Sequence, residues 1–143
     1  MTIPDPETAE KTLEAVLYYI SFERIEQLNR SAVAILAARR GPSCPSLLQP
    51  EHELTDPMKL VVEIAKYCSD EPGFVRHDMP IQEMVFRMLL LRGNKPTPLK
   101  EIHYDLTEKW ASPTRPISIT QENLNRVLSS DTFYGFSQSN ADD

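Results

Sequence analysis

With 143 residues, 41% of them hydrophobic and 25% charged, the chain has enough apolar content for one core and is not a disordered polyelectrolyte. Its formal net charge of −6 has the wrong sign for a protein whose whole surface grips nucleic acid. Four Gly against 12 Pro speak against an all-β fold rich in tight turns, and for short helices joined by stiff connectors.

The N-terminal MTIPDPETAEK lacks a basic segment leading into an apolar run, so no secretory leader is expected. Asp5-Pro6-Glu7 reads as a helix start: a capping acceptor, a proline with preset φ, and an acid near the positive helix end. Leu13, Val16, Leu17 and Ile20 follow at helical spacing, and then Ile25, Leu28, Ala32, Ile35 and Leu36 out of phase with them. This predicts either one long helix that changes its buried face near Ser21–Glu23 or two helices with a kink there. Arg39-Arg40-Gly41-Pro42 ends the run. Residues 41–53 form a Pro-rich connector in which Leu47 and Leu48 seek burial.

Asp56-Pro57 repeats the start signal, and Met58, Val61, Val62, Ala65 and Cys68 make one face of a short helix. SDEPGF at 69–74 is a turn. Met79-Pro80 opens the next helix, lined by Ile81, Met84, Val85, Met88 and Leu89, with Leu91 thickening it and Gly93-Asn94 stopping it. Thr97 is the expected cap of the following helix, whose stripe is Leu99, Ile102, Leu106 and Trp110. Ser118 and Gln121 have capping-box spacing for a last helix with Leu124, Val127 and Leu128 inward. Phe133-Tyr134-Gly135-Phe136 reads as a short strand, and residues 138–143 as part of a frayed polar tail.

The fold class expected is therefore all-α with minor β. Residues 1–75 form a helical N-terminal region, two or three helices with the connector 41–53, packed on a second unit at 76–137. The longest apolar stretch, AVAILAA at 32–38, falls far short of the roughly 20 residues that cross a bilayer. Cys44 and Cys68 are the only cysteines, too few for a disulfide framework, and read as reduced thiols in a cytoplasmic protein.

No cofactor or metal is expected, and no enzyme. His52, His77 and His103 lie far apart, no HExxH or CxxC occurs, and neither a nucleophile elbow nor a Gly-rich phosphate loop is present. Glu101, Asp105 and Glu108 read as one solvated helix face.

The order of an apolar helix, KPTPLKEI, a loop and ITQENLNRVLSSDTFYGF resembles a winged helix-turn-helix. Specifically, residues 80–136 resemble HARE-type helix-turn-helix domains and the globular domain of the bacterial RNA polymerase delta subunit. Pro98, Leu99 and Ile102 match the Pro-Leu-x-x-Ile entry to the second helix. Leu124, Leu128, Asp131 and Phe133 match the spaced leucines of the third helix and the Asp and Phe that follow it. The resemblance implies a Gly-containing hairpin and a second wing strand after the Phe. Here the chain runs from Phe136 into SQSNADD, so the wing is expected short or missing, and the long acidic tail of delta subunits is absent.

Two functions follow. The first is a regulatory or docking role toward a protein partner or complex, with Phe133, Tyr134 and Phe136 as an aromatic anchor. The two apolar phases of the N-terminal helices also suggest a homodimer through residues 8–38. The second is duplex DNA binding. Residues 84–136 carry seven basic and five acidic side chains, whereas residues 1–75 carry seven and twelve. Gln121, Asn123, Asn125 and Arg126 on the helix at 119–130 would read base edges, while Lys95, Lys100 and Arg115 would hold phosphates.

Overall fold

The N-terminal segment expected to be helical contains the central strand of the molecule. The computed structural model describes residue 13 and residues 15–140. Within it, β1 (Val16–Ile20) pairs antiparallel on one side with β2 (Thr97–Pro98) and on the other with β3 (Phe136–Asn140). Register sets Leu17 opposite Pro98 and Ser139, and Tyr18 opposite Thr97 and Gln138. VLYYI is rich in β-branched and aromatic residues, which suit a pleated surface. Its alternate side chains Val16, Tyr18 and Ile20 are buried.

The change of phase near Ser21 is thus a change of period, from two residues to 3.6. Ser21 ends the strand and caps α1 (Phe22–Gln27), its hydroxyl accepting the Arg24 N–H at 3.1 Å. Asn29, at φ 62°, separates α1 from α2 (Ala32–Ala37), which Ser31 caps in the same way. The start signal at residues 5–7 lies outside the described residues.

The rest is helical, so the fold is mostly α with a small antiparallel sheet. After two 3₁₀ turns at Pro45–Leu48 and Glu51–Glu53 come α3 (Pro57–Tyr67) and α4 (Ile81–Leu91). Asp56 caps α3 as expected, accepting the Met58 N–H. Its buried face is Leu60, Val61, Ile64 and Cys68, which corrects the expected stripe: Met58 and Val62 are 43% and 58% exposed. In α4, Met84, Val85, Phe86, Met88, Leu89 and Leu90 are all buried, as befits a helix enclosed on most sides. Gly93 and Asn94, both at positive φ, stop it.

Then follow α5 (Leu99–Tyr104), a π-helical turn at Asp105–Lys109, and α6 (Gln121–Ser129). Thr97 belongs to β2 and does not cap α5; its hydroxyl donates to the Lys95 carbonyl. Thr120, not Ser118, caps α6 by accepting the Asn123 N–H. The strand expected at 133–136 begins at Phe136, and residues 138–140 of the expected polar tail lie in β3. No second wing strand follows β3 among the described residues; β1 pairs with it instead. Buried side chains from both halves of the chain join in one cluster, running from Val16 to Phe136.

Candidate functional site

Helices α5 and α6 face each other through buried Leu99, Ile102, Leu124 and Leu128, with Leu106 of the π-turn beside them. His103 Nε2 donates to the Ile119 carbonyl at 2.6 Å, fixing the approach to α6. Burial of Tyr18 on β1 pushes its phenol up, an effect that the Gln138 side chain partly offsets. Its hydroxyl donates to Asn125 Oδ1 at 2.5 Å and accepts from Gln138 Nε2 at 2.7 Å. Three elements, β1, α6 and β3, are thereby tied through one hydroxyl.

That tie corrects one candidate base reader. Asn125 is half-buried with its amide oxygen engaged by Tyr18, because it lies beside Leu124 on the side of α6 that meets the sheet. Asn123 and Arg126 are exposed, and Glu122 is exposed beside them. Gln121, half-buried, shares a groove of about 670 Å³ with Lys100, His103, Ile119 and Glu122. Lys95 is exposed in the turn before β2. Arg115 lines a different hollow, with Lys109 and Trp110. The structure therefore joins Lys100 with Gln121, and leaves the phosphate candidates on separate surfaces.

The aromatic anchor is also corrected. Phe136 is 1% exposed, and Tyr134 packs its ring 5.2 Å from Phe86 and 5.5 Å from Phe136. Tyr134 OH donates to Glu83 on α4 at 2.9 Å, and Arg39 and Arg87 donate to the same carboxylate. Burial opposes the charge on Glu83, but the hydrogen bonds from Arg39 and Arg87 prevail and hold its carboxyl down at about 2. Burial first, and then the Glu83 carboxylate, push Tyr134 up to about 12. Phe133, half-buried, stands edge-on to Tyr134 with the Arg30 guanidinium 3.9 Å above its ring. Tyr134 and Phe136 thus belong to the packing of the protein itself, and Phe133 is covered on one side by Arg30.

The face of α5 expected to be solvated instead carries a ridge of ion pairs with Asp105 buried in it. Arg92 donates to Glu101 at 3.0 Å and to Asp105 at 2.8 Å. Partial burial works against the Arg92 charge, but Asp105 outweighs it and raises the guanidinium above its ordinary value. Tyr104 stands on this ridge, 62% exposed. A second groove, about 690 Å³, runs along Arg92, Pro98, Lys100, Tyr104 and Asp105. Lys100 lines both grooves, so the start of α5 is flanked by a hollow on each side. The signal in the sequence was Tyr104 itself, an aromatic off the Leu99–Ile102–Leu106 stripe.

Among the described residues, no group of three or more His, Cys, Asp or Glu is placed to hold a metal ion, and no helix is long and apolar enough to cross a membrane. No protein-family model, curated protein or solved structure matches the chain.

Proposed function

We propose that this chain is a non-enzymatic docking protein of the cytoplasm, which engages a protein partner through the α5 ridge. Tyr104 carries this reading: a large exposed aromatic on the lip of a groove is the kind of side chain that anchors interfaces. Two free buried thiols suit a reducing compartment. Under the winged-helix resemblance, β1 takes the pairing position beside β3 that a second wing strand would hold, so no wing projects beside α6 among the described residues.

DNA reading by α6 is the competing proposal. It keeps Asn123 and Arg126 as base readers and Lys95 and Lys100 as phosphate contacts. Glu122 on the same face and the engagement of Asn125 weigh against it.

A photo-crosslinker placed at position 104 tests the docking proposal, beside a control crosslinker at exposed Glu108 and a duplex-DNA mobility shift at low salt. The expected result is a discrete protein adduct from position 104 alone and no duplex shift. A duplex shift lost in Arg126→Ala, with no adduct specific to position 104, would reverse the assignment. The size of the adduct separates a second copy of the chain from a different partner.

A further inference from the structure

At the far end of the α5 segment, three turns meet around the chain's single tryptophan. The π-turn closes through the Trp110 N–H to the Asp105 carbonyl at 2.9 Å, and it delivers Lys109 and Trp110 together. Such π-turns recur at functional sites because they re-aim side chains that a regular helix would place elsewhere. A second turn is closed by the isolated bridge between Ser112 and Arg115, and the Ser112 hydroxyl also accepts the Arg115 N–H at 3.0 Å. A third, closed by the Met79 N–H on the Arg76 carbonyl, presents Arg76 and His77.

Arg76, His77, Asp78, Lys109, Trp110 and Arg115 line one hollow of about 460 Å³. Three cations stand there against one carboxylate, on a chain whose net charge is −6. Asp78 is already engaged by Arg76 at 3.2 Å, and among the described residues Lys109 and Arg115 have no carboxylate within ion-pair distance. Lys109 Nζ sits 5.2 Å over the Trp110 ring. The indole N–H is shielded from solvent, so an anion in the open hollow is held by the cations and not by this donor.

We propose that this hollow binds a phosphate dianion, free or carried as a monoester. Its charge attracts a dianion, and the Arg76 and Arg115 guanidiniums offer forked donors that match phosphate oxygens. The negative end of the α5 segment opposes an anion with roughly half a charge, less than the excess of cations around the hollow. The site is separate from the α5 ridge, so the docking proposal can fail while this one stands. A phosphorylated side chain and a free phosphate share this chemistry.

Trp110 supplies the readout. Its fluorescence is followed at constant ionic strength while inorganic phosphate, a hexapeptide bearing O-phosphoserine and no other charged side chain, or the same peptide without phosphate is added. The expected result is a saturable change with phosphate or the phosphopeptide, none with the plain peptide, and none when chloride replaces phosphate. The tighter of the two active probes identifies the source. Lys109→Gln with Arg115→Gln should weaken binding at least tenfold. Arg76→Gln, at a side chain 58% exposed, should weaken it severalfold with the fold untouched. Equal responses to chloride and phosphate, or affinity unchanged in a folded Arg76→Gln protein and in the double variant, would overturn the assignment.

Discussion

Asn94 performs the pairing that β2 is too short to complete. Its side-chain amide accepts the Ile20 N–H at 2.7 Å and donates to the Ile20 carbonyl at 2.9 Å, copying a strand partner at the end of β1. Its backbone sits at φ 59°, a conformation Asn tolerates and Ala resists. Two substitutions separate these roles. Asn94→Gly keeps the backbone and deletes both hydrogen bonds; at about 0.5–1.5 kcal/mol each, the loss is about 1–3 kcal/mol. Asn94→Ala deletes the same bonds and adds about 1 kcal/mol of left-handed strain. Urea unfolding at neutral pH measures both. Asn94→Gly within 0.5 kcal/mol of wild type would show that the amide contributes nothing to the strand, and Asn94→Ala at least as stable as Asn94→Gly would refute the backbone argument.

Gly135→Ala should cost about 3–5 kcal/mol, because a Cβ there would stand 2.5 Å from Ile25 Cγ1 and 2.8 Å from the Ser21 carbonyl at φ 76°; thermal unfolding of the variant tests this. Glu83 titrates at about 2 in the fold against an ordinary 4.5, so its contribution, about 2–3 kcal/mol, is complete above pH 4.5 and is lost as pH falls toward 2. Glu83→Gln should therefore be less stable at pH 7 and should lose less on acidification than wild type. Tyr134, raised to about 12, contributes below pH 10 and loses that contribution as pH rises toward 12, which Tyr134→Phe should abolish in an alkaline melt. Tyr104→Ala should change stability by less than about 0.5 kcal/mol, since the side chain is mostly in water.

The helices at α3, α4 and α6 were legible because each carries its own punctuation: Asp56-Pro57, Met79-Pro80 with Gly93-Asn94, and the leucines of 121–129. Those signals act within a few residues and need no partner. β1 was not legible for the opposite reason. VLYYI is apolar at nearly every position, so a period of two and a period of 3.6 fit it equally, and its partners lie about 80 and 120 residues away in the sequence. The same blindness misplaced SQSN, whose polar letters describe an edge strand as well as a tail. Among the site residues, exposure followed the helical wheel for Asn123 and Arg126. It failed at Asn125, whose orientation depends on Tyr18, and at Tyr134 and Phe136, whose acceptor and ring partners come from α4 and from each other.

The placement of β1 bears on what a module in this protein is. The segment resembling a winged helix, residues 80–136, contains β2 and the start of β3, yet these two strands do not touch; each pairs only with β1. Without β1 the sheet has no centre, and the core loses Val16, Tyr18 and Ile20. Full burial of such side chains stabilises by about 1.5–3 kcal/mol each, and the sum rivals the 5–15 kcal/mol that typically separates a folded domain from its unfolded chain. A fragment spanning residues 22–143, which lacks β1 but keeps the other core helices, is therefore expected to unfold without cooperativity and to show collapsed amide dispersion by NMR. A synthetic peptide spanning residues 13–21, added in trans, should restore dispersion, and Tyr18→Ala in that peptide should prevent it by removing both the buried ring and the hydroxyl that joins Asn125 to Gln138. A fragment that melts cooperatively on its own would show that β2 and β3 find another partner, and that the N-terminal strand is an accessory to the helical core.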